Sequence, residues 1–192
     1  LGIFYTVTIS GIVQVYNEIK KRIKEYLPMN IDQRNEAAVT KKPAFQAVGL
    51  KWEGTFAEAG AGGIRAVQRT LQERLAEIPY AIHADTMLGL SYHAVPGGDG
   101  FIHYAVVEVE RIEEVPEGMV TISVPALTYA ACSHRKGQSI DQSYNNIYAW
   151  IKEQGYSEYN PDHLTHFEQY PMSQDPYTDD PEFMIMIPVQ SE

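Results

Sequence analysis

Pro125–Gly137 reads PALTYAACSHRKG, and 82 residues earlier Pro43–Gly54 reads PAFQAVGLKWEG. Both open on Pro-Ala, run through alternating small and apolar residues, and end at glycine, as a strand between two chain breaks does. The segments downstream of the two are also alike. After the first, Ile64, Val67, Leu71, Leu75 and Ile78 recur on one helical face. Next come the strand TMLGLSYH, the turn PGGDG and the strand FIHYAVVEVE. After the second, Tyr144, Ile147, Tyr148 and Ile151 mark a helix, followed by HLTHFEQYPM, a loop and EFMIMIPV. Tyr92 and Tyr170, in the matching second strands, are 78 residues apart. Spacing held across four elements predicts a duplicated strand–helix–strand–strand unit, about 43–112 and 119–190, jointed at EEVPEG (Glu113–Gly118).

One helix per unit covers one face of three strands. The expected fold is therefore α+β: two tandem units forming a pseudo-twofold antiparallel sheet, with both helices on one face and a ligand groove on the other. Ahead of it, Ile12, Tyr16, Ile19, Ile23 and Tyr26 predict an amphipathic helix ending before Pro28, and residues 29–42 read as a linker or frayed edge. The expected division is an N-terminal helix and linker over 1–40 and one domain over 41–192.

The formal charge of the 192 residues is −10. Residues 1–28 hold four basic against two acidic side chains, so the remainder carries −12. Such a body repels phosphate and argues against nucleic-acid binding by residues 41–192. No apolar run is long enough for a membrane helix, and LGIFYTVTIS lacks the basic start of a secretory signal. With Cys132 as the single cysteine, the expected compartment is a reducing cytoplasm.

The most informative carboxylate is Glu168 in HLTHFEQY. Alternation puts Leu164, His166, Glu168 and Tyr170 on one face and Thr165, Phe167 and Gln169 on the other. With Phe167 packed under the helices, Glu168 and Tyr170 would look into the helix-free face. A carboxylate on an aromatic wall needs compensation, which a ligand cation and nearby rings supply. On this pattern alone, a groove counter-charge and a solvated edge charge stand even, with a catalytic base as the third possibility. The chain holds 13 Tyr against 6 Phe, and tyrosine suits a wall that stays partly wet. Trp52, Tyr92, Tyr104, Tyr170 and Phe183 are the candidate wall residues. His163 and His166 fall three apart on a strand, which sends them to opposite faces, so no metal site is expected. The GAGG before the first helix lacks the Lys and Ser/Thr of a phosphate loop, and no cofactor is expected.

PALTYAACSHRKG, YAWIKEQGY, HFEQY and the closing FMIMIPV together resemble the GyrI-like, or AraC-type effector-binding, multidrug-binding domain family. The matching positions are Tyr129-Ala130, Trp150, Glu168-Gln169-Tyr170 and Ile187-Pro188-Val189. The likeness is strong over the second half and weak over the first. It implies a central groove in which Glu168 pairs with cationic, lipophilic aromatic ligands, in an effector-sensing or drug-sequestering protein. It also implies two alternatives: a hydrolase of cyclopropane-type electrophiles with Glu168 as catalytic residue, and a modulator binding gyrase or a transcription regulator as protein partner.

Overall fold

A computed structural model describes residues 33, 35–95 and 97–191. The helix expected over Ile12–Tyr26 lies outside the described residues. Within them, nine strands come in chain order as β1 (Ala37–Lys42), β2 (Phe45–Gly54), β3 (Thr86–Tyr92), β4 (Phe101–Val109), β5 (Val120–Val124), β6 (Leu127–His134), β7 (Tyr156–Glu158), β8 (Leu164–Pro171) and β9 (Phe183–Ser191). The helices are α1 (Phe56–Gly60), α2 (Gly63–Arg74) and α3 (Ile140–Glu153). Thr55 opens α1 with a reciprocal cap to Glu58, and the Ser139 hydroxyl accepts from the Gln142 amide to open α3.

The expected order occurs twice, as β2–α2–β3–β4 and β6–α3–β8–β9. The strands lie in the order β1-β6-β9-β8-β3-β4-β2-β5, all antiparallel, with β7 added along β9. The two units therefore meet at β3 and β8, where Gly89 stands opposite Glu168.

Residues 37–42, expected as linker or frayed edge, are the edge strand β1, and Val120–Val124 adds β5. Each leading strand pairs with the other unit: β1 with β6, β5 with β2. Their partners are supplied by residues about 90 and 75 positions away in the chain, which local periodicity does not register. The Pro-Ala pairs are the corners, since only Pro43–Ala44 joins β1 to β2 and only Pro125–Ala126 joins β5 to β6.

That topology curls the sheet. β1 and β2 stand near opposite ends of the strand order, yet three residue steps, about 10–11 Å at full extension, join Lys42 to Phe45. The ends can meet only if the sheet bends over its helix-free face. That face is consequently filled: Phe45 and Val124 from one end pack with Leu127 and Tyr129 from the other, around Leu88, Leu90, Val106, Leu164, Phe167 and Met186. The Phe45 and Phe167 rings are 5.7 Å apart.

On the helix face, Leu71 of α2 packs with Val48, Met87, Ala105 and Val107, while Ile147 and Ile151 of α3 pack with Ala130, Cys132, Ile185 and Ile187. Apolar stripes predicted from the sequence are thus the buried sides of both helices. Cys132 belongs to this layer, and burial pushes its thiol up to about 11. A thiol-specific disulfide reagent at neutral pH is expected to label native Cys132 at least about a hundredfold more slowly than the denatured chain. Equal rates would show that α3 does not seal this layer.

Candidate functional site

With α2 over β2 and β4, and α3 over β6 and β9, the central strands β3 and β8 form the floor between two helical walls. Glu168 is on this floor. It was expected on the face away from the helices, and register reverses that: it pairs with Gly89 and Ile185, both helix-face residues, while Phe167 pairs with Met186 in the helix-free core. The physical reason is the curl, which makes the helix-free side the better place for a phenyl ring and leaves the strip between the helices for the carboxylate.

Gly89 makes room for it. A Cβ there would lie 3.2 Å from Glu168 Oε2, 3.2 Å from the Tyr170 ring and 3.0 Å from His103 Cε1, so any larger residue would crowd all three. Glu168 is half-buried. Tyr144 on α3 donates to its Oε1, and the Tyr170 hydroxyl donates to its Oε2 at 2.8 Å. Desolvation raises the carboxyl pKa above the ordinary glutamate value, and the two phenol donors partly oppose the rise. Both tyrosine hydroxyls are in turn held well above their usual range, by burial first and by Glu168 next. The acid is thus bound as an acceptor by two groups that do not ionise at physiological pH.

Two histidines flank it. His166, on the same face as β8 alternation predicts, bonds the Tyr148 hydroxyl at 2.9 Å and meets the Tyr144 ring edge-on at 5.3 Å. Burial lowers its pKa to about 4. His103 is fully buried, its Nδ1 2.9 Å from the Ser91 hydroxyl and its Nε2 without a partner among the described residues. Burial, then His166, lowers its pKa to about 4. Both rings are therefore neutral at pH 7 and add no positive charge to compete with a cation.

A groove of about 860 Å³ opens on one side of this floor. Tyr144, Tyr148, Asp141 and Asn145 of α3 form one wall; His166 and Thr165 begin the floor, Phe56, Ala94 and Val95 stand on the first-unit side, and Glu158 and Asn160 on the second. Glu168 and Tyr170 do not line this groove; Tyr144, which does, connects it to Glu168 through the hydrogen bond to Oε1.

The residues singled out from sequence are only partly assembled. Tyr170 touches Glu168, and Phe183 stacks on the far side of Tyr170 at 4.8 Å. Trp52 shares their face but sits under the α1–α2 turn, where Cβ atoms on Gly54 or Gly63 would come within 2.6 Å of its ring. It reaches the groove only through Phe101 (5.2 Å) and Phe56 (4.8 Å). Tyr92 and Tyr104 pack edge-on to each other at 5.6 Å on the helix-free side, away from Glu168. Pattern reading missed Tyr144, Tyr148, His166 and Phe56 as groove residues. For the two tyrosines the signal was present, since their spacing of four puts them on one helical face. What they face depends on where α3 docks.

Among the described residues no cluster of three or more His, Cys, Asp or Glu has a metal-binding arrangement, and no helix is long and apolar enough to cross a membrane.

A curled antiparallel sheet, two helices on one face and a tyrosine-held carboxylate between them define a module built to enclose a small guest. The chain belongs to the GyrI-like family: residues 35–190 match the GyrI-like small molecule binding domain. It is 30% identical over 116 residues to the transcriptional regulator BrlR of Pseudomonas aeruginosa, covering 60% of this chain and 41% of that one. The chain so matches about two fifths of the length of that relative. The C-terminal domain of EcmrR superposes with a TM-score of 0.64 at 15% identity, over 83% of this chain and 100% of that one. SAV2435 bound to tetraphenylphosphonium superposes at 0.60 with 16% identity, over 81% and 94%. At these identities the likeness to the two structures is one of fold.

Proposed function

We propose that this domain binds lipophilic, cationic aromatic molecules in the groove between its helices, with Glu168 as counter-charge and Tyr144, Tyr148, Tyr170, His166 and Phe56 as the surrounding wall. The observation that carries this is the half-buried carboxylate of Glu168, compensated by two neutral phenols and, among the described residues, by no cationic side chain. A guest cation completes the pairing, and the ring faces around it add cation–π attraction of about 0.5–2 kcal/mol each. The tetraphenylphosphonium held by SAV2435 on the same fold supports this ligand class. BrlR and EcmrR, the one named a transcriptional regulator and the other solved on DNA, support an effector-sensing role, whether in a longer chain or with a protein partner. Sequestration of the compound in the cytoplasm is the simpler role for the domain alone. Binding is favoured over hydrolysis because each oxygen of Glu168 accepts from a tyrosine, and these bonds oppose the rise in basicity that activating water would use.

Titration with tetraphenylphosphonium across pH tests the reading. The Glu168 pKa is raised, so affinity is expected to fall as pH drops through a point above the ordinary value of 4.5. Absence of saturable binding, or affinity unchanged down through the carboxylate range, would overturn it.

A further inference from the structure

Lys42 closes β1, one step before the Pro43–Ala44 corner, and strand register decides where it looks. Lys42 pairs with Leu127 of β6, and Thr40 pairs with Tyr129; both partners belong to the helix-free core. Period two therefore turns Lys42 towards that core and Lys41 to the other side. The Lys42 ammonium lies 5.2 Å from the centroid of the fully buried Phe167 ring. A lysine on an edge strand discourages pairing with a foreign sheet, and exposed Lys41 meets that need. The same need does not explain a second ammonium folded in over a core ring.

Lys42 lines a cavity of about 380 Å³ at the strand ends of the helix-free side. Phe45 and Leu88 give this cavity apolar lining, and His83, Glu108 and Gln169 give it polar lining. Lys42 is half-buried, and among the described residues its ammonium makes no hydrogen bond or ion pair. Glu108 acts on it through space only. A desolvated ammonium without an acceptor shifts towards the neutral amine, so burial lowers the Lys42 pKa, and Glu108 opposes the drop in part. Lys51, by contrast, is paired with Glu53 and is held above its ordinary value.

A half-desolvated lysine beside an apolar cavity has the setting of an amine nucleophile. We propose that Lys42 captures small aromatic aldehydes as an imine in this cavity, at a site separate from the Glu168 groove and independent of the reading given above. Phe45 and Leu88 seat the aldehyde ring and leave its carbonyl carbon at the amine. The nitrogen lone pair forms the C–N bond while the carbonyl π pair moves to oxygen. Two protons pass from nitrogen to that oxygen, the C–O bond breaks, and one water leaves the C=N imine. No oxidant or reductant is consumed. Protonation of the imine nitrogen by solvent gives an iminium, and Glu108 in the same lining carries the opposite charge.

The test treats the full chain at pH 7 with benzaldehyde and sodium cyanoborohydride, which reduces the iminium to a stable benzylamine. Peptide mass spectrometry then reads the rate at each lysine. Lys42 is expected to be labelled about fivefold or more faster than its neighbour Lys41, and the ratio should fall to about one in urea. Formaldehyde, which has no ring to seat, is expected to show a smaller preference for Lys42. Saturating tetraphenylphosphonium is expected to leave the rate at Lys42 unchanged. Equal labelling of Lys41 and Lys42 in the native chain would overturn the proposal, as would a formaldehyde preference as large as that of benzaldehyde. Protection of Lys42 by tetraphenylphosphonium would overturn its separateness from the groove. Failure of tetraphenylphosphonium to bind, with Lys42 still preferred, would overturn the groove reading and leave this one standing.

Discussion

Glu168→Gln is expected to lower the affinity for tetraphenylphosphonium by about thirtyfold or more. Removing one member of a desolvated charge pair costs about 2–5 kcal/mol, and each 1.4 kcal/mol is a factor of ten. The lower end applies here, because Glu168 is half-buried, and in the variant one tyrosine can donate to the amide oxygen while the other accepts from the amide NH2. The loss should not be one of folding. A carboxyl pKa raised in the folded state means that the native protein holds the proton more tightly than the unfolded chain. Its contribution to stability is complete below the ordinary glutamate value and is lost as pH climbs through the raised one. Above that raised pKa the charged carboxylate is a liability that glutamine removes. The variant should therefore be at least as stable as wild type at pH 7 by denaturant midpoint, while binding worse by calorimetry. Equal affinity in the two proteins would remove Glu168 from the site.

Phe167→Ala is the opposite experiment on the adjacent residue. Phe167 is fully buried and touches both the Phe45 and the Tyr129 rings, so truncation should cost about 3–5 kcal/mol of stability. Residual folded protein should still bind the cation, because the ring points away from the groove. A cost below about 1 kcal/mol in a urea titration would mean that the helix-free face is not a closed core. Neighbours in one strand thus divide the two properties of the molecule: one holds the sheet shut, the other waits for a guest.

Much of this was legible in the chain. The helices over Gly63–Arg74 and Ile140–Glu153 and the six principal strands follow from periodicity and from glycine and proline breaks. Alternation in HLTHFEQY correctly separated Glu168, His166 and Tyr170 from Phe167 and placed them on a common face, but failed at its start: the register shift opposite Ser91 and Tyr92 puts Leu164 in the helix-free core with Phe167 and Thr165 at the groove with His166. It could not say which face the helices cover, because period two distinguishes sides without naming them. The choice depended on β1 and β5, two short strands whose sequences AAVTKK and VTISV carry little pattern of their own. Tyr92 and Tyr104 were grouped with Glu168 for the same reason: a tyrosine that packs in a curled core and one that lines a wet groove are alike in sequence.

By itself the sequence determined the doubled strand–helix–strand–strand order, the acidic body and a glutamate set among aromatic residues, since each depends on spacing or composition within one segment. Only the tertiary structure decided where that glutamate looks. Two-residue corners at Pro43–Ala44 and Pro125–Ala126 draw the ends of the sheet together, the helix-free side closes into core, and the strip between α2 and α3 is left to Glu168, Tyr144 and Tyr170. That outcome rests on contacts between residues far apart in the chain, and no local pattern contains it.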